Sequence, residues 1–125
     1  MDIDVELRGV AMSYGATPVL HSLDLEVYKG EFLSLLGPSG CGKTTTLRML
    51  AGFMEPDSGE IRMNGKTISS PAAVLPPERR NMAMIFQSYA VWPHMTVREN
   101  VGYGLRMRGV PAASREARVA ATLKA

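Results

Sequence analysis

Residues 37–44 read Gly37-Pro38-Ser39-Gly40-Cys41-Gly42-Lys43-Thr44, a complete G-x-x-x-x-G-K-[ST] pattern. Immediately before it lies FLSLL (32–36), a short and nearly all-apolar run of the kind expected for a strand buried on both faces. After it, Leu47, Leu50, Ala51 and Met54 recur at i, i+3, i+4 and i+7. That spacing predicts one face of a helix, with Gly52 suited to its C-terminal cap. In the order strand, glycine loop, helix, consecutive backbone N–H groups converge on a phosphate and the helix N-terminus adds its positive dipole end. Lys43 would then reach the β- and γ-phosphates as a point charge, and the Thr44 hydroxyl would bind Mg2+. A phosphate loop alone leaves GTPases, small-molecule kinases, motor ATPases and transport ATPases open.

The flanking sequence is punctuated by glycine and proline. Residues 3–10 and the alternating LDLEVY (23–28) predict half-buried antiparallel strands on either side of a turn near Gly15. Residues 60–63 and 66–68 flank Asn64-Gly65, a strong two-residue hairpin signal. Residues 71–77 read as a linker, and MAMIF (82–86) as a second buried strand ending at Gln87. Thr96 and Glu99 have capping-box spacing, which predicts a helix from about 96 to 108, weakened by Gly102 and Gly104. Ser114 is placed to cap a last helix, with Val119 and Leu123 inward and Arg115, Arg118 and Thr122 outward.

At 125 residues and 46% apolar composition, the chain is one small domain or a piece of one. A net charge of +2 gives no sign of a nucleic-acid partner. The single cysteine, Cys41, excludes an intramolecular disulfide framework and fits a reducing compartment. The acidic start MDIDVELR shows no secretory leader, and no apolar run approaches the ~18 residues of a membrane span, so a membrane role would run through a partner protein.

Two stretches resemble one known family. GPSGCGKTTTLRMLAGFMEPDSGEIRMNG (37–65) looks like the Walker A loop, first helix and β-subdomain of the ATP-binding subunit of ABC transporters. MIFQSYAVWPHMTVRENVGYGL (84–105) is similar to that family's Q-loop and the start of its helical subdomain. The likeness is strongest to bacterial importer ATPases that serve polyamine, ferric iron or sugar uptake. It implies an α/β fold: a P-loop NTPase (RecA-like) partial core with an antiparallel β-subdomain and the start of a helical subdomain. The partial ATP-binding core would cover residues 1–87, and residues 88–125 would begin the helical subdomain.

The same resemblance implies ATP and Mg2+ as cofactors. Gly37, Pro38, Ser39, Gly40, Cys41, Gly42, Lys43, Thr44 and Thr45 would hold the nucleotide phosphates, and Tyr14 takes the position of the aromatic that stacks on adenine. Lys43 and Gln87 would serve catalysis, and Thr44 and Gln87 the metal. A neutral amide is no strong base, so Gln87 would sense the γ-phosphate. Residues 88–95 (SYAVWPHM), from Ser88 to Met95, would meet transmembrane permease subunits through Tyr89 and Trp92, although packing between subdomains is an alternative use of both rings. His94 has no second ligand at metal-binding spacing and reads as structural or solvated.

A second ATPase subunit would complete a homodimer in the full-length protein, on the cytoplasmic face of the membrane. The 125 residues show no Walker B carboxylate, no LSGGQ-like signature and no switch histidine, so the likeness is to the family's N-terminal part. By itself such a chain is not expected to hydrolyse ATP. A fragment of a non-transport ABC ATPase of DNA repair or translation, or a non-catalytic nucleotide-binding fragment, is the alternative.

Overall fold

The computed structural model describes every residue except Tyr89, and the reading of that side chain as a permease contact lies outside the described residues. The chain forms two compact units, Met1–Met84 and Ile85–Ala125.

The first unit is built on a five-stranded antiparallel sheet in the order β2-β1-β3-β4-β5. Its strands are β1 (Ile3–Tyr14), β2 (Thr17–Tyr28), β3 (Ser58–Met63), β4 (Lys66–Ser70) and β5 (Ala73–Val74). The hairpins predicted around Gly15 and around Asn64-Gly65 both form, the first with strands of 12 residues each. Residues 71–77 are more than a linker. Ser69 and Ser70 pair with Val74 and Ala73, and a 3-10 turn follows at Pro77–Arg79. Pairing of this kind uses backbone groups alone, so the side-chain pattern carries no trace of it.

Helix α1 (Lys43–Ala51) follows the glycine loop as predicted, and Gly52 closes it in the left-handed conformation. The buried face is the expected one only in part: Leu50 and Met54 pack against the core, but they are not its buried centre. Met49 is fully buried with Leu7, Val10, Ile61 and Ile68, while Leu47 stays about half exposed. Thr45 and Thr46 complete the buried face with Met49 at helical spacing. Counting threonine as polar hides that face, yet both hydroxyls are hydrogen-bonded, which removes the cost of burial. Each core Leu or Ile adds about 1.5–3 kcal/mol relative to an exposed position.

Neither predicted buried strand exists here. Residues 32–36 and 82–86 form no strand, and Phe32, Leu36 and Ile85 are 94%, 91% and 99% exposed. A central strand needs hydrogen-bonding neighbours, and the sheet of this chain contains no pairing to either segment. Instead Phe32, Leu33 and Leu35 join Leu25, Val27, Leu47 and Leu50 around an open apolar cleft.

The second unit contains α2 (Val97–Met107) and α3 (Ala112–Lys124). Gly102 is buried against Val119, and a Cβ at Gly102 would stand 3.2 Å from Val119 Cγ2. The glycine that weakens the helix in isolation therefore lets α3 approach. Ser114 does not cap α3. The helix starts three residues earlier, with Pro111 at the N-cap, whose carbonyl accepts from the Arg115 N–H at 2.9 Å. Leu123 is about half exposed rather than inward, and Arg115 is partly buried.

The Thr96 capping box forms in full. The Glu99 N–H donates to Thr96 Oγ1 at 3.1 Å, and the Thr96 N–H donates to Glu99 Oε2 at 2.7 Å. That backbone hydrogen bond is the main reason the Glu99 carboxyl sits below its usual pKa. A lowered carboxyl pKa contributes stability above the unfolded value and loses it as pH falls through the folded one. We expect α2 to lose helicity on acidification below the carboxylate range, and Glu99→Gln to flatten that dependence, as followed by far-ultraviolet circular dichroism. Thr96→Ala should cost ~1 kcal/mol at neutral pH.

Candidate functional site

The glycine loop and the first turn of α1 meet at Gly42, the helix N-cap. Gly42 has φ +92°, and a Cβ there would stand 2.6 Å from Leu20 Cδ2 on β2, so conformation and space both demand glycine. No side chain caps this helix, and its first turn holds no acid. The first helical bond runs from the Thr46 N–H to the Gly42 carbonyl at 2.9 Å. Among the described residues, the amides of Lys43, Thr44 and Thr45 have no backbone acceptor. Three orphan donors at the positive end of a helix are groups that can receive an anion.

Lys43 reaches back across the loop, and its ammonium donates to the carbonyl oxygens of Gly37 and, at 3.4 Å, Pro38. The charge thus sits on the same loop that carries the free amides. Cys41 and Thr44 are exposed beside it, together with Ser39 and Gly40. Thr45 is 6% exposed and turns its hydroxyl to the Tyr14 hydroxyl, 3.2 Å away. Tyr14 ends β1, is about half exposed and also donates to Met54 Sδ at 3.4 Å. The structure therefore brings Tyr14 to the first turn of α1 from 31 residues away in sequence.

Gln87 lies exposed in the second unit, as do Ser88 and residues 90–94. There the Trp92 ring rests 4.3 Å from Tyr103, and Arg106 stands 5.4 Å from the centre of the Tyr103 ring. Asn100 fixes this loop. Its Oδ1 accepts from the Trp92 N–H at 2.8 Å, and its Nδ2 donates to the carbonyls of Trp92, Met95 and Thr96.

Several residues with structural work were not legible in the sequence. Asp24 and Asp57 accept backbone N–H bonds from Gly9 and Ser13, each at 2.7 Å. Arg80 is buried under the C-terminal end of α1. Among the described residues no group of three His, Cys, Asp or Glu side chains could hold a metal. None of their helices is long and apolar enough to cross a membrane.

Comparison with known proteins gives this geometry its context. The chain is 52% identical to the spermidine/putrescine import ATP-binding protein PotA of Thermobifida fusca, over 96% of this chain and 31% of that protein. It is 48% identical to the sn-glycerol-3-phosphate import ATP-binding protein UgpC 1 of Rhizobium johnstonii, over 97% of this chain and 32% of the relative. The PotA protein of Oleidesulfovibrio alaskensis is 48% identical over 98% of this chain and 32% of its own length. The chain thus spans about a third of the length of the curated relatives it matches. The family described as ABC transporter matches residues 20–125, which include the whole glycine loop, α1 and the Gln87 segment. An α/β chain with an uncapped helix behind a complete phosphate loop, matched along most of its length, belongs to the ABC transporter family.

Proposed function

We propose that this chain is the ATP-binding portion of an importer ATPase, which in its full-length subunit couples ATP binding and hydrolysis to solute uptake through a membrane permease. The observation that carries this reading is the first turn of α1, where three amides lack backbone acceptors, no acid is present and the Lys43 ammonium lies alongside. Those groups suit a polyphosphate: the amides donate to its oxygens, and the ammonium meets the terminal charges. Thr44 offers one hard oxygen, the exposed hydroxyl of the first turn, which fits a Mg2+ ion that takes most of its ligands from phosphate and water. Mg2+ would neutralise charge developing on the phosphates when bound.

In this reading Tyr14 stacks on the base, Gln87 senses the terminal phosphate, and the segment 88–95 meets the permease. A second subunit supplies the other half of each ATP site. The import relatives at 48–52% identity favour transport over a DNA-repair or translation ATPase. Their names carry polyamine and sn-glycerol-3-phosphate import, and the solute of this chain is left open because permease and binding protein select it.

Cys41 supplies the test. It is the chain's single cysteine and it is exposed within the loop. In the full-length subunit maleimide should label Cys41 readily, and saturating ATP with Mg2+ should slow labelling of Cys41 severalfold because bound phosphates cover the loop. A labelling rate indifferent to saturating nucleotide would count against the site.

A further inference from the structure

Among the described residues Arg80 is the largest fully buried side chain, at 1% exposure, and its partners there include no carboxylate. Its Nε donates to the Leu75 carbonyl at 2.7 Å. Nη1 donates to the carbonyls of Met49 and Leu50, both at 2.9 Å. Nη2 donates to the Ile68 carbonyl at 3.2 Å and to Ser69 Oγ at 2.8 Å. Every N–H of the guanidinium is used. Burial alone pushes its pKa below the usual arginine range, and the charge is met by carbonyl dipoles.

Two of those carbonyls belong to the last turn of α1, the negative end of the helix whose other end carries the phosphate loop. The remaining acceptors lie on β4, at Ile68 and Ser69, and just after β5, at Leu75. One side chain therefore ties the helix to the sheet edge. Gly52 makes the approach possible, because a Cβ there would stand 2.6 Å from Arg80 Nε and 3.1 Å from the Pro77 nitrogen. A nine-residue helix is a stiff rod of about 13 Å, so holding its far end also sets the position of the amides at its near end.

We propose that Arg80, through its grip on the C-terminal carbonyls of α1, is a positioning residue for the phosphate site at the other end of that helix. This role rests on the nucleotide-binding reading above. The test is titration of Mg-ATP into full-length subunits carrying this sequence, at a temperature where circular dichroism shows each variant folded. Arg80→Met and Gly52→Ala remove the grip from its two sides. Val119→Ala, which loosens the α2–α3 contact of the second unit, controls for general destabilisation.

The expected result is an affinity loss of about tenfold or more for Arg80→Met and for Gly52→Ala, with a smaller loss for Arg80→Lys and none for the control. If Arg80→Met fails to fold, Arg80→Lys and Gly52→Ala decide. Wild-type affinity in the folded grip variants, or an equal loss in Val119→Ala, overturns the positioning role. A wild-type protein that fails to bind Mg-ATP is a different outcome, and it overturns the nucleotide reading together with this one.

Discussion

Lys43→Ala lowers ATP affinity at least ~10-fold, about 1.4 kcal/mol, while leaving the fold in place. The two halves of that expectation come from different parts of the structure. Lys43 is partly exposed, and among the described residues its ammonium donates to the carbonyls of Gly37 and Pro38. Bonds to carbonyls at the surface contribute on the order of 1 kcal/mol net, so stability should fall little. The helix behind it is held elsewhere, by Met49 in the core and by Gly52 at its end. Affinity depends on charge, and a methyl group cannot replace an ammonium that exchanges loop carbonyls for phosphate oxygens. Calorimetric titration of the full-length subunit, paired with thermal denaturation, separates the two. Unchanged affinity would remove Lys43 from the site, and a large loss of stability would mean that the lysine acts through the loop's own structure.

What could be read from the residues alone follows the distance over which each interaction acts. The glycine loop, α1, the Asn64-Gly65 hairpin and the Thr96 capping box are set by neighbours within a few positions, and all were legible. Interactions over longer separations were not. The Tyr14–Thr45 contact spans 31 residues, and Arg80 reaches back 31 residues to Met49, so no local pattern announces either one. The buried face of α1 is legible only in part, for a chemical reason: Leu50 and Met54 pack against the core as the spacing predicts, but two threonines, polar by type, are buried while Leu47 is not. Burial of 32–36 and 82–86 was misjudged for a topological one. Apolar composition states what a segment would bury and not whether a neighbouring strand is present to pair with it.

The 125-residue chain by itself should aggregate and show no ATP hydrolysis above the no-enzyme background. FLSLL and MAMIF are five-residue windows without charge or proline, and Phe32, Leu36 and Ile85 stand almost wholly exposed in them. Such windows pair readily with copies of themselves when no strand of the sheet flanks them. Burying their amides and carbonyls without partners instead would cost ~1–3 kcal/mol per group, so intermolecular pairing is the cheaper route. Hydrolysis should be absent because these 125 residues show no Walker B carboxylate, and several acids near the sheet are already engaged. Asp24 and Asp57 hold backbone amides, and Glu60 pairs with Arg62. The two causes can be tested separately. Phe32→Lys and Ile85→Lys together place charge on side chains that are almost wholly exposed, so they should raise the monomer fraction in size-exclusion chromatography with little change in melting temperature. Turnover should remain at background in that soluble variant. A monomeric parent chain would remove the exposed windows as a cause, and steady-state turnover by the soluble variant would show that these 125 residues carry their own catalytic carboxylate.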